Sequence, residues 1–182
     1  MRRRGLMGDG LHKIVLLRNF DAASGQTFTE STGFTAAAGR VLTLFLDFTF
    51  DGGSSSNLIC AGLNPQIWTN NDGLRIYLCI DGDTGTTRFH FFEATNNVAL
   101  GDPAGRNKMV CRVNYLSGSS AVLDVWRNGA QVISGYTAGS LFLGAVSISN
   151  AEGSSRFRGT YHEISILPGA LRDEQLRALT IV

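Results

Sequence analysis

The chain is dominated by apolar residues at every second position. From Val41 to Phe50, Leu42, Leu44, Leu46, Phe48 and Phe50 fall on one side, with Thr43, Phe45, Asp47 and Thr49 on the other. Strict alternation is the period of a β-strand that lays one face on a core. Leu74 to Ile80 repeats it: Leu74, Ile76, Leu78 and Ile80 take the inward side, Arg75, Tyr77 and Cys79 the opposite one. Further strands are expected over Lys13 to Asn19, Leu58 to Gly62, Arg88 to Glu93, Met109 to Leu116, Ala121 to Arg127, Gln131 to Ser134 and Leu141 to Ser149, with short edge strands around Phe28 and Phe34. Turn chemistry separates them: Asp51 to Asn57, Asn70-Asn71-Asp72-Gly73, Asp81-Gly82-Asp83-Thr84-Gly85, Ser117 to Ser120 and Arg127-Asn128-Gly129. About a dozen short strands with evenly spaced turns predict an all-β, two-sheet antiparallel sandwich.

The period changes only near the C-terminus. Thr160 to Leu167 reads as a last strand, with Tyr161, Glu163, Ser165 and Leu167 on one face and Ile164 and Ile166 on the other. Pro168-Gly169 stops it. Asp173-Glu174 then opens a short helix, where acids suit the positive helix end. Leu176 and Leu179 form its apolar stripe, and Leu171 packs the approach.

Composition narrows the reading. Of 182 residues, 43% are hydrophobic and 17% charged, which fits one folded domain rather than a disordered chain. A net charge of +1 argues against wholesale nucleic-acid binding. Cys60, Cys79 and Cys111 are odd in number, lie in apolar runs and lack zinc-ligand spacing, so buried free thiols and a reducing folding compartment are expected. The apolar run after the basic start, Ile14 to Leu17, is too short for a signal peptide, and no stretch reaches membrane-spanning length, so neither export by a cleaved signal nor membrane insertion is expected. Residues 1–20 read as a basic N-terminal arm with the first strand, and 21–182 as the sandwich. Arg2, Arg3 and Arg4 are either a solvated tail or an assembly-docking arm on a neighbouring subunit.

Several segments together resemble the laminin-G-like, or concanavalin A-like, lectin and glucanase jelly roll. They are Val41 to Phe48, Asp72 to Leu78 with Arg88-Phe89, Asn107 to Asn114, Leu123 to Val132 with its Asn128-Gly129 turn, and Gly159 to Ile164 with Ala170 to Leu176. The resemblance covers residues 35–180. It implies a concanavalin A-like jelly roll closed by one short C-terminal helix, a fold that serves lectins, adhesion modules, glycosidases and virion proteins. His162 stands where members often carry an acid.

Catalysis on such a fold would need two carboxylates close together on one sheet face. Here no Glu-x-Asp-x-Glu-like run occurs; Asp47, Glu93, Asp124 and Glu163 stand singly on strands. His12, His90 and His162 are scattered without a nucleophile elbow, and partly buried histidines bonded to backbone are expected. Calcium is an open cofactor, with Asp81 and Asp83 as candidate ligands, though turn residues capping their own backbone explain them too. Sugar binding needs an aromatic platform beside planar hydrogen-bonding groups. Trp68, Asn70, Asn71, Arg75, Tyr77 and Trp126 are the candidates, with Gln66, Arg88 and His90 near them; Trp68 and Trp126 could instead fill the core.

The expectation is a non-catalytic adhesion protein, made in the cytoplasm and carried outside a phage or phage-like particle as spike, fibre or decoration. It would be a homo-oligomer joined to other subunits through the arm, binding cell-surface polysaccharide. A small glycan-active enzyme and a ligand-free structural subunit are the alternatives.

Overall fold

The computed structural model describes residues 13–21, 28–31, 35, 37–52, 56–62, 73–80, 87–93, 96–101, 105–118, 120–138, 145–148 and 158–182, with the second of its two sheets described through backbone and pairing. In these residues the chain forms β1 (Ile14–Asp21), β2 (Phe28–Ser31), β3 (Val41–Gly52), β4 (Ser56–Gly62), β5 (Gly73–Ile80), β6 (Thr87–Glu93), β7 (Asn96–Gly101), β8 (Gly105–Tyr115), β9 (Ala121–Arg127), β10 (Ala130–Ala138), β11 (Ala145–Ile148), β12 (Arg158–Pro168) and α1 (Asp173–Leu179). Two six-stranded sheets result, ordered β1-β12-β3-β8-β9-β10 and β2-β11-β4-β5-β6-β7. Every pairing is antiparallel, and the chain passes between sheets after β1, β2, β3, β7, β10 and β11, the path of a jelly-roll sandwich.

The inner face of the first sheet follows from alternation. Leu42, Leu44, Leu46 and Phe48 on β3 pair with Val113, Cys111, Met109 and Asn107 on β8, which in turn meet Leu123 and Val125 on β9. All of these are essentially solvent-free. At one end of this face Arg127 Nε and Nη2 both donate to Asn107 Oδ1, at 2.9 and 2.7 Å, and Asn107 Nδ2 donates to the Gly105 carbonyl. Those bonds satisfy a buried amide that would otherwise be expensive inside a core.

The β9–β10 hairpin turns on Asn128 and Gly129, both left-handed with φ 47° and 81°. Two successive positive φ values are what a type I′ turn requires, and Asn-Gly is the pair that tolerates it best. The Asn128 side chain also accepts from the Lys108 amide at 2.9 Å, tying the turn to β8.

One face assignment needs correction. Tyr161 does not share a face with Glu163 and Ser165. The β12–β3 register pairs Tyr161 with Phe48 and Glu163 with Asp47, so His162 is an extra residue in a bulge. The bulge flips the side-chain sequence once, and Tyr161 joins Ile164 and Ile166 in the core, its ring 6.1 Å from that of Phe48.

Candidate functional site

The outer face of the first sheet is the best-defined surface, and most of it is occupied. Phe45, Val110 and Trp126 line up across β3, β8 and β9. Leu171 and Leu176 bury against them, with Leu167 and Leu179 packed at the margin. Helix α1 is therefore a lid over this face. Gln175 Oε1 accepts from the Arg172 amide at 3.0 Å at its start; Thr180 Oγ1 accepts from the Gly129 amide at 3.1 Å beyond its end.

Arg112 fastens the lid. Its Nε and Nη2 donate to Asp124 Oδ2 at 3.1 and 2.8 Å, and Nη1 donates to Asp173 Oδ1 at 2.7 Å and to the Leu171 carbonyl at 3.2 Å. Its guanidinium also lies 5.1 Å from the centre of the Trp126 ring. Burial alone would lower the Arg112 pKa, but the hydrogen bonds and charges of Asp124 and Asp173 outweigh it and raise it. Asp124 Oδ1 takes a further bond from the Gly135 amide at 2.9 Å. This corrects the place of Trp126 among the sugar-binding candidates: it is 3% exposed and offers no platform to solvent.

Beyond the lid, the same face carries charge. Asp47 and Glu163 stand singly in the sequence but directly opposite one another across the β3–β12 ladder. Arg106 Nε and Nη2 grip Asp47 Oδ1 and Oδ2 at 3.0 and 2.8 Å. Hydrogen bonding to Asp47, then its charge, raises the Arg106 pKa. Glu163 pairs with Lys13 and, at 3.8 Å, with Arg18, and accepts from Ser165 Oγ at 2.8 Å. Two carboxylates on one sheet face are the raw material of glycoside hydrolysis. Here all four oxygens face cations, which holds the two like charges together.

His162 departs from expectation as well. Its Nε2 lies 2.7 Å from Thr49 Oγ1, so its partner is a side chain and not the backbone. Cys111 is a buried free thiol, as its apolar run predicts. Burial, then the charge of Asp124, pushes it up to about 12, far from the range of a nucleophile. Among the described residues no three His, Cys, Asp or Glu side chains form a metal-holding group, and no helix is long and apolar enough to cross a membrane.

The second sheet holds the other described candidates. Arg75 pairs with Phe92 and Cys60, Tyr77 with His90 and Asn57, and Cys79 with Arg88. On β7, Asn97 and Ala99 oppose Phe92 and His90. Pairing puts all these positions on one face. The other face gathers Leu74, Ile76, Leu78 and Ile80 with Ile59, Phe89, Phe91 and Val98. The apolar set has the composition of the inner layer, which leaves the Arg75–Tyr77 set as the outer one. Sequence reasoning selected Arg75 and Tyr77; Asn57, Phe92 and Asn97 join them only through the ladder. Trp68, Asn70, Asn71, Asp81, Asp83, Arg2, Arg3 and Arg4 lie outside the described residues.

No protein-family model and no curated protein matches the chain. Solved structures do. The CBM40 domain of the Ruminococcus gnavus IT-sialidase, bound to α2,3-sialyllactose, aligns with TM-score 0.54 at 13% identity over 95% of this chain and 100% of that one. A leech intramolecular trans-sialidase aligns with TM-score 0.52 at 17% identity over 92% of this chain, which spans only 28% of the enzyme. A pentraxin of Limulus polyphemus aligns with TM-score 0.52 at 15% identity, covering 92% of this chain and 81% of that one. Likeness at such identities establishes the fold: the two-sheet sandwich that the alternation predicts, with the concanavalin A-like jelly-roll form and C-terminal helix that the resemblance implies.

Proposed function

We propose that this chain is a carbohydrate-binding sandwich module that holds its ligand on the outer face of the second sheet and does no chemistry on it. The observation that carries this is the unequal use of the sheet faces. The first sheet spends its inner face on the core and covers its outer one with α1 and ion pairs. The second sheet brings Tyr77, Phe92, Arg75, His90, Asn57 and Asn97 to one outer face. Rings that meet sugar C–H bonds, beside planar donors and acceptors for hydroxyls, are what a glycan surface needs. That a domain of the same fold and full length is bound to a sialylated sugar supports the reading.

Screening the full chain on a glycan array tests it. At least one glycan class should bind, and Tyr77→Ala should abolish binding while leaving the melting temperature within about 2 °C, the scale of a surface substitution. Binding to no glycan, or binding indifferent to Tyr77→Ala and Phe92→Ala, would reject the face. Turnover of any polysaccharide would favour instead the glycan-active enzyme, with Asp47 and Glu163 the first residues to test.

A finer reading places the module outside a phage-like particle, with Arg2, Arg3 and Arg4 as the docking arm and further copies of the chain as neighbours. It rests on the basic start of the sequence. Triple alanine substitution of those arginines should block incorporation into particles; unchanged incorporation would remove the arm from the proposal.

A further inference from the structure

We infer that the bulges of β10 close the edge of the first sheet, so that a second copy of the chain does not extend that sheet strand against strand. This goes beyond the glycan-binding reading and does not rest on it. An edge strand presents backbone groups that have no ladder partner, and such edges pair with one another unless something prevents it. The sandwich has four edges, β1 and β10 in the first sheet, β2 and β7 in the second. β1 shifts register between Val15 and Leu17, holds Asn19 at φ 52° and presents Arg18 to solvent. β7 meets β6 with a shift at Phe89–His90. β2 is only four residues long. Interruption, charge and shortness are the usual guards of an edge.

β10 lacks two of those guards. Ala130–Ala138 is nine residues long and contains no charged residue and no proline. Ala130, Gln131, Val132, Ser134, Gly135 and Thr137 are exposed. Gly135 has no side chain, so its exposure is that of the main chain itself. By composition alone this strand would pair with its own copy about a two-fold axis.

Geometry prevents it. The β9–β10 ladder shifts twice, between Gln131 and Ile133 and between Ile133 and Tyr136. Val132 is the extra residue of the first bulge; in the second, Ser134 and Gly135 stand where β9 has Asp124 alone. Gly135 adopts φ 65°, a conformation that glycine takes at little cost. Its amide donates to Asp124 Oδ1 at 2.9 Å, and Arg112 in turn holds Asp124 Oδ2. The second bulge is therefore pinned to the sheet by a buried carboxylate. Each bulge bends the strand and sharpens its twist. Tyr136 to Ala138 is the longest run left in register, too short to template another strand.

The test flattens the edge. Deleting Ser134 together with Gly135→Thr leaves one ordinary strand residue opposite Asp124. At about 100 μM, a range in which open edges associate, light scattering on a sizing column should give this variant at least about twice the mass of the wild-type chain, two edges having joined. Adding Thr137→Lys, a charge on the same edge, should return it to the wild-type mass. A folded variant that keeps the wild-type mass overturns the inference, and so does association that Thr137→Lys leaves intact. Two measurements need no deletion and stand even if that variant fails to fold. Thr137→Lys in the wild-type background should leave the mass unchanged; a fall in mass would show β10 already paired with another copy. Hydrogen exchange of the β10 amides should run at the same rate at about 1 and 100 μM; protection of those amides that grows with concentration overturns the inference.

Discussion

The two sheets of this sandwich solve the same problem in opposite ways. Each must turn one face to the core and decide what to do with the other. The first sheet closes its outer face: apolar Phe45, Val110 and Trp126 accept the leucines of α1, and Arg106 and Arg112 are matched with acids. The second, in its β4–β7 half, carries Tyr, Phe, Arg, His and Asn on its outer face without a matching acid on the ladder. Residues of the same types thus do different work. Arg112 over Trp126 is a fastening because Asp124, Asp173 and a helix complete it. Arg75 and Tyr77 share a face on which the strand register supplies no such completion. A guanidinium next to an aromatic ring indicates a binding surface only when the surrounding fold has not already filled it.

That comparison can be broken by measurement. The largest effect is expected at Asp124, which holds Arg112 and the Gly135 amide together in a nearly dry setting. Asp124→Ala leaves Arg112 half-satisfied under the lid and should cost about 3 kcal/mol in chemical denaturation. Leu176→Ala comes next: the side chain is fully buried under α1, and truncation should cost 2–3 kcal/mol and lower the melting temperature by about 6–10 °C. If either variant melted with the wild type, α1 would not be a lid that the first sheet depends on.

The pH dependence probes the inner layer. An ordinary thiol loses its proton near 9.0, whereas folded Cys111 holds it to about 12. Between those values the unfolded chain binds fewer protons than the native one, so stability is full below about pH 9 and falls above it, by about 1.4 kcal/mol per pH unit. Cys111→Ala should flatten its share of that slope. Native Cys111 should also resist thiol reagents in mapped labelling at neutral pH; rapid labelling would contradict its burial.

Smaller effects test the second sheet. On the proposed glycan-binding reading, Arg75→Ala and Arg88→Ala should change stability by no more than about 0.5 kcal/mol. A loss comparable to that of Asp124→Ala would mean that this face, too, is filled from within. Smallest of all is Thr43→Val. Thr43 Oγ1 is buried on the first sheet's outer face with no hydrogen-bond partner among the described residues. Replacing it by a methyl group should be neutral or stabilising by up to about 1 kcal/mol in the same denaturation assay.

Much of this was legible in the residues themselves. Alternation from Val41 to Phe50 and from Leu74 to Ile80 assigns strand and face because a β-strand has period two and a core accepts only one kind of side chain. Asn128-Gly129 announces its turn because few pairs tolerate two left-handed residues. Asp173-Glu174 with Leu176 and Leu179 announces the helix. All of these are local properties, encoded within a few residues of where they act.

Tertiary structure alone decided the rest. Nothing near Tyr161 shows that His162 will be an extra residue against β3; the register of two strands more than a hundred residues apart settles it. The same register sets Asp47 against Glu163, two acids that look solitary in sequence. Phe45 stands among polar positions of its strand and Trp126 among the sugar-binding candidates until α1 closes over them. Arg75, Tyr77, Arg88, His90 and Phe92 become one surface only when β5 and β6 pair. Where a strand has no bulge, sequence determines which way a side chain faces, because that is set by bonded geometry. What it faces is set by strands and helices brought in from elsewhere, as α1 does for Phe45 and Trp126.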